Sequence, residues 1–426
     1  MFTGIIAALA LGGCASVPAT WSTVSSNWEQ DGSAIGEIDL ARGTASTYPS
    51  VKSMAGRWLR VIATTDAINP DFNIWIAMLD KNQYPYIRPL PTLCSVHDRQ
   101  RICVNSAWVD PDADKLRISM SSFGAPTVVR SVIVESSIGA AVSPAVTAKF
   151  EGLAADVRSL YFKSTETDWH RAEFDARRSL AAPSDIDPLP EAMALLIAHL
   201  PHNSHSLVTR RASVMPAAQG ADAERMPACV LLPNGTLRLD LPVTPGSPSS
   251  SEEYIRRSHA CLQTAGSARW LINLTDDRGG NSLLQFAALQ PIFGVGDQMQ
   301  MRNPSGKAFT VALASTSVSM AGNMQFHWPR EQRPVPPLKV TFLVNAGCAS
   351  ACESLLIAAK GRFAVVGQPT GGFTTANETI KINDLYSANI TSGVMTGMDG
   401  TFYARLEPDR VLDEAAIQQA IETGTY

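Results

Sequence analysis

Ser350 stands where a strand pattern breaks into a helix pattern, a place from which a hydroxyl can act as a nucleophile. Before it, Val340-Thr-Phe-Leu-Val344 is a short apolar, β-branched run expected to form a buried strand, and Asn345, Ala346 and Gly347 interrupt it. After it, Ala351, Leu355, Ile357 and Ala358 give a small-residue helix that Gly361 can end at its C′ position. A serine there sits at the positive end of the helix dipole, among backbone N–H groups that lack intrahelical partners and suit an oxyanion. The competing reading is a plain N-cap serine, which the same pattern produces. Upstream, the apolar strand pattern of Trp270-Leu-Ile-Asn-Leu runs into a charged turn, Thr275-Asp-Asp-Arg-Gly-Gly-Asn281. Its paired glycines, Gly279 and Gly280, let the backbone turn tightly and come close to a ligand. His199, His202 and His205 lie close together further upstream. An imidazole, with an unperturbed pKa of about 6.5, takes and returns a proton near neutral pH, and serine needs such a partner to become nucleophilic. The three are otherwise surface imidazoles or a metal cluster; no Cys or carboxylate nearby has ligand spacing, so neither metal nor cofactor is expected.

These segments together resemble the C-terminal processing (tail-specific) serine peptidases, whose catalytic domain is of the ClpP/crotonase type. In that family one strand ends in a pattern like L-I-D-L-R-x-N-x-G-G, and a second ends in S-A-S-E, followed by a helix and V-G-E-x-T-x-G. This chain has Leu271-Ile272-Asn273-Leu274 with Gly279-Gly280, then Ser350-Ala351-Cys352-Glu353, then Val366-Gly367-Gln368-Pro369-Thr370-Gly371-Gly372. Asn273 replaces the usual Asp, and the Arg has moved to Arg278. The resemblance covers residues 150 to 426. It implies a ClpP/crotonase-like βα core acting on a peptide or protein substrate.

The best-known branch of the family takes its base from a lysine just after the third pattern, where this chain has Phe373. The resemblance therefore points to the histidine branch, which includes the tricorn-type peptidases and draws its base from a Ser-His pair before the core. Here Ser204-His205 follows a helical pattern in the corresponding place. The implied chemistry is acyl transfer: Ser350 Oγ attacks a peptide carbonyl, and His205 accepts its proton. The N–H of Ala351 and one from the Gly279-Gly280 turn hold the oxyanion. In the tricorn-type arrangement the serine beside the histidine, here Ser204, links it to a late glutamate. Glu407 and Glu378 are the candidates for that acid.

The N-terminus ends an apolar run in Leu11-Gly12-Gly13-Cys14, which resembles a bacterial lipobox with Cys14 as the lipidated residue. Residues 1–14 are then a lipoprotein signal peptide, and the chain is membrane-anchored through lipid in the cell envelope, in the outer membrane by the absence of Asp after Cys14. A buried hydrophobic strand is the competing reading, and the n-region lacks the usual Lys or Arg. Elsewhere no apolar run has the length of about 18 residues needed to span a bilayer. Beyond Cys14, the remaining six of seven cysteines permit three bridges, as an oxidising compartment allows. Cys94 and Cys103 flank a polar loop, and Cys229 can join Cys261. Cys348 and Cys352 bracket Ser350 either as a bridge that stiffens the turn or as two buried thiols.

At 426 residues the chain exceeds what one core usually supports. Its Lys and Arg number 35 against 39 Asp and Glu, with no basic stripe, so nucleic acid is not an expected partner. Residues 25–147 alternate in short strands, among them Trp58–Ala63, Phe72–Ala77 and Thr127–Val134, and predict an antiparallel β-sandwich. Residues 148–215 turn helical and carry His205. The core follows over 225–426 with strand and helix patterns in alternation, which predicts a largely parallel sheet covered by helices. No PDZ pattern intervenes, and residues 318 to 324 are expected to form a loop. Two alternatives to a peptidase stay open: a non-catalytic envelope scaffold that retains the fold, and an ester- or carbohydrate-directed hydrolase using the same pair.

Overall fold

A computed structural model describes residues 29–30, 38–40, 44–47, 55–65, 72–79, 90, 92–97, 100–121, 127–201, 205–210, 225–245, 247–263, 269–329 and 339–426. Cys14 and the signal peptide expected over residues 1–14 lie outside the described residues, as does Ser204. The fold is mixed α/β and divides into two compact units, one of residues 1–221 with 378–390, the other of residues 222–377 with 391–426.

In the first unit, strand Trp58–Thr65 lies between Gln100–Trp108 and Thr127–Ser137, antiparallel to both. Its residues alternate in destination. Leu59, Val61 and Ala63 are buried apolar residues, while Arg60 between them is buried in an ion pair with Glu135 and another, 2.8 Å long, with Asp185. Period-two alternation places successive side chains on opposite faces, so both faces of this central strand are covered. Strand Leu93–His97 pairs with Gln100–Trp108, and Cys94 and Cys103 are direct cross-strand partners joined by a disulfide. A second antiparallel sheet orders Thr44–Thr47, Lys115–Ser121 and Asn73–Leu79.

Among the described residues, three α-helices belong to that unit. Pro144–Leu160 starts at Ser143, whose Oγ accepts the Val146 N–H, and Trp169–Arg178 starts at Asp168, whose Oδ1 accepts the Arg171 N–H. Leu189–Ala198 is apolar apart from Glu191 and is buried from Leu189 to Ile197. Phe150, Val157, Ala176 and Leu196 from these helices share one core with Trp58, Val61 and Ile74 of the sheets. Strand Leu207–Arg210 then pairs antiparallel with residues 386–389, Leu207 opposite Asn389.

The second unit is built on a sheet in the order Ala228–Leu231, Leu237–Asp240, Arg269–Asn273, Lys339–Val344, Ala364–Gly367, Arg410–Val411. Its first pair is antiparallel and the remaining pairs are parallel. Parallel strands must be covered on both faces, and the residues sort accordingly. Trp270, Ile272, Phe342 and Val344 pack with Tyr254, Phe286 and Leu355 from helices Pro248–Gln263, Ser282–Ala288 and Ala351–Ala359. Leu271 and Leu343 face the other way, onto Ile417 and Ala420 of helix Glu414–Thr423. A disulfide between Cys229 and Cys261 ties the first strand to helix Pro248–Gln263.

An antiparallel meander, Gly296–Arg302, Ala308–Leu313, Ser317–Met320 and Asn323–His327, lies within the same unit. It corrects the loop expected at residues 318–324, which is a hairpin. Its two turn residues, Ala321 and Gly322, have φ of 53° and 79°. Two successive positive φ values match the twist of the flanking strands, but an alanine in the first position is not the usual turn signal. No helix of the described residues is long and apolar enough to cross a membrane.

Candidate active site

Strand Lys339–Val344 is an interior strand, and it delivers the chain into a tight turn before helix Ala351–Ala359. The Cys348 N–H donates to Asn345 O at 3.0 Å, and the Gly371 N–H donates to Cys348 O at 2.8 Å. Ser350 follows with φ 57° and ψ −115°, one of two non-glycine residues with positive φ among the described residues. Such a backbone stores about 1–3 kcal/mol and persists only where the surroundings over-determine it. The side chain is half-buried.

The surroundings are unusually restrictive. A disulfide joins Cys348 to Cys352 across Ser350, and both sulfurs belong to fully buried residues. Glu353, also fully buried, accepts the Ser350 N–H on Oε2 at 3.0 Å and the Phe373 N–H on the same oxygen at 2.7 Å. Its Oε1 accepts the Gly372 N–H at 2.8 Å and the Thr370 hydroxyl. All four partners are donors, so both oxygens work as acceptors. Glu353 thus joins the nucleophile turn to the 370–373 turn through one buried carboxyl. The sequence pattern marked Glu353 only as part of a motif, although Ser-x-x-Glu before an apolar run is a capping-box signal that could have assigned it. Phe373 contributes through its backbone.

Against Ser350 lies the glycine turn. Gly279 has φ 110°, and a Cβ built on it would fall 2.8 Å from Ala349 O and 3.0 Å from the Ser350 Cβ. Glycine is required there on both counts. Gly280, with φ 116°, abuts Thr244, whose Oγ1 also accepts the Asn281 N–H at 2.7 Å. Asn281 caps helix Ser282–Ala288 through Oδ1, which takes the N–H groups of Leu283 and Leu284. The two turns are also tied by Asn345, whose Nδ2 donates to Thr275 O at 3.0 Å. Thr275 and Asn345 border a polar cavity of about 500 Å³, lined also by Asp240, Asn273, Gln368 and Glu414.

Hydrogen bonding narrows the oxyanion donors. The Ser350 N–H is taken by Glu353, the Cys352 N–H by Ala349 O, and the Gly279 N–H by Asp277 Oδ1 at 3.0 Å. Among the described residues, the N–H groups of Ala351 and Gly280 have no partner. Asp277 is fully buried, and burial holds its carboxyl well above the ordinary aspartate range. Nothing in the residue pattern alone had singled it out.

The other expected residues fall as follows. His205 belongs to the first unit, half-buried just before strand Leu207–Arg210. His199 is engaged with Asp175, Nε2 to Oδ2 at 3.0 Å. His202 lies outside the described residues. Glu407 is exposed, 3.8 Å from Arg405, and Glu378 is exposed on strand Thr375–Lys381. In the second unit, His259 is buried with Nε2 2.8 Å from Ala287 O, and burial lowers its pKa. Among the described residues no three His, Cys, Asp or Glu side chains gather as a metal site would require.

The model of peptidase family S41 matches residues 245–412, which include the glycine turn, Ser350 and the 370–373 turn. Residues 245–412 are a peptidase family S41 domain. Over 176 residues the chain is 21% identical to the nisin-resistance protein of Lactococcus lactis subsp. lactis, a match covering 41% of this chain and 55% of that protein. The chain thus spans about half the length of that curated relative. In fold it is similar to a lipoprotein from Streptococcus agalactiae, at 16% identity and a TM-score of 0.55, over 67% of this chain and 99% of that one. In the S41 domain the three motif segments, scattered in sequence, converge on Ser350.

Proposed function

We propose that the chain is a cell-envelope serine peptidase that hydrolyses peptide bonds through an acyl-enzyme on Ser350, with His205 as the general base. The observation that carries this reading is the strained Ser350, held against Gly279 beside two N–H groups that have no partner. A serine positioned only to cap its helix gains nothing from positive φ. A serine presented to a substrate gains an Oγ next to an oxyanion site, the geometry that acyl transfer needs. Oγ attacks the peptide carbonyl, and its proton passes to the imidazole. The oxyanion rests on the N–H groups of Ala351 and Gly280, and the returned proton leaves with the amine. Water then repeats the sequence on the acyl ester.

Support for His205 comes from the residue pattern, with Ser204 as the residue that orients the imidazole. His259 does not compete, because its ring is bonded to Ala287 O and burial disfavours its protonation. The envelope reading is supported by three disulfides, which suit an oxidising compartment, and by Cys14 as the residue to be lipidated; the absence of Asp after it favours the outer membrane. The names of the similar proteins, a nisin-resistance protein and a lipoprotein, support an association with the cell envelope. The substrate is a peptide or protein.

Labelling by a fluorophosphonate probe tests the nucleophile. The wild-type chain should label and Ser350→Ala should not; equal weak labelling of both would leave a non-catalytic scaffold as the better reading. His205→Ala should abolish labelling while His202→Ala keeps most of it, and the reverse result would move the base.

A further inference from the structure

Two buried carboxyls flank the Ser350 site, and their partners differ. Glu353 faces four donors. Asp277 has two polar contacts: Oδ1 takes the Gly279 N–H at 3.0 Å, and Oδ2 lies 2.7 Å from the Gln285 amide nitrogen. Among the described residues no cation pairs with Asp277, although it is fully buried. A carboxylate charge buried without a counter-ion costs several kcal/mol, and such groups commonly keep a proton instead. Gln285 is equally buried, and its Oε1 has no hydrogen-bond partner. The two ends of a side-chain amide are assigned from their partners, so an acid proton on Oδ2 would supply the donor that Oε1 lacks.

We propose that Asp277 positions the Gly279-Gly280 turn as a neutral, proton-bearing acid, its Oδ1 accepting the Gly279 N–H and its Oδ2 proton shared with Gln285. This rests on the reading of Ser350 as nucleophile and adds a division of labour beneath it. By engaging the Gly279 N–H, Asp277 turns that amide away from the substrate and leaves the neighbouring Gly280 N–H for the oxyanion. Neutrality matters because a negative charge this close to a developing oxyanion, inside a low-dielectric site, would oppose the stabilisation that the N–H groups supply. Burial raises the Asp277 pKa well above 3.8, in the direction neutrality requires. Other groups face it from the packed helices: Tyr254, whose hydroxyl donates to Pro242 O at 2.6 Å, and Gln285. Asp276 and Arg278, its chain neighbours, are exposed.

The test compares Asp277→Asn with Asp277→Ala in the full chain, reading the rate of fluorophosphonate labelling beside the melting temperature. Asp277→Asn should label within about threefold of wild type, because Oδ1 remains and the new amide meets Gln285 Oε1. Asp277→Ala should slow labelling by tenfold or more, since a small misplacement of a catalytic donor can cost on that scale. Equal losses in both variants would show that the carboxylate charge is needed, and a wild-type rate in Asp277→Ala would remove the positioning role. A second measurement does not depend on labelling. A folded pKa above the unfolded one contributes stability that is fully present below the unfolded value and lost as pH rises towards the folded value. Wild type should therefore lose stability relative to Asp277→Asn as pH climbs from 4, and a pH-independent difference would overturn the neutral acid. Failure of Ser350→Ala to abolish labelling would sink the peptidase reading alone, because this stability comparison stands without it.

Discussion

The nucleophile turn, Asn345 to Glu353, and the glycine turn, Thr275 to Asn281, meet where Gly279 touches Ser350, yet they are secured by opposite means. The first holds a strained non-glycine residue, and it is closed by a disulfide and by a buried carboxyl with four donors. The second has no covalent tie and holds two glycines at φ values that cost glycine little. It relies on single hydrogen bonds, two donated to Asp277 and Thr244 and one donated by Asn345, and on the absence of side chains. A strained residue needs several independent constraints, whereas a permissive one needs mainly space. The nucleophile turn should therefore yield in steps, and the glycine turn should fail through single atoms.

The largest effect expected from that contrast is Gly279→Ala. The added methyl would meet Ala349 O and the Ser350 Cβ, both part of a turn that cannot retreat. Labelling of Ser350 should fall by roughly two to three orders of magnitude, the scale of a lost oxyanion donor. A variant that labels at the wild-type rate would show that the turn gives way to the methyl. Next comes Glu353→Gln, in which an amide replaces one acceptor oxygen and orphans two buried donors at about 1–3 kcal/mol each. Denaturant unfolding should register a loss of about 2–6 kcal/mol. A loss under about 1 kcal/mol, below the cost of even one orphaned donor, would mean that the four-donor arrangement is not maintained in solution.

The smallest effect belongs to the disulfide. Cys348 and Cys352 are four positions apart. So short a loop gains only about 2 kcal/mol from cross-linking in the chain-entropy model. The double variant Cys348→Ser, Cys352→Ser should melt lower while labelling slows only severalfold, because Glu353 and Gly279 still constrain Ser350. Complete loss of labelling at an unchanged fold would make the disulfide the principal constraint and reverse the order of importance.

Much of the S41 core was legible in the residue pattern. Strands expected over the Trp270–Leu274 and Val340–Val344 runs form over Arg269–Asn273 and Lys339–Val344, and the helix expected between Ser350 and Gly361 forms over Ala351–Ala359. Buried parallel strands are continuous apolar runs, and such runs are local. The hairpin at Ala321-Gly322 was missed because its turn uses alanine where a glycine or asparagine would have signalled positive φ. The partners of Glu353 were not legible either, since Thr370, Gly372 and Phe373 reach it only after the strand Ala364–Gly367 has returned beside Lys339–Val344. Nor was the place of residues 378–390, which the chain supplies to the first unit after most of the second is complete.

Residue types and order by themselves determined that a serine would follow an interior strand, that paired glycines would end another, and that a histidine rather than a lysine was on offer, because each is a property of a short segment. Tertiary structure decided that Gly279 presses on Ser350, that Ser350 is held at positive φ, and which amides are spent on buried acids. Those outcomes depend on which groups from distant segments satisfy each other, and buried polar atoms find their partners only when the sheet has brought its strand ends together.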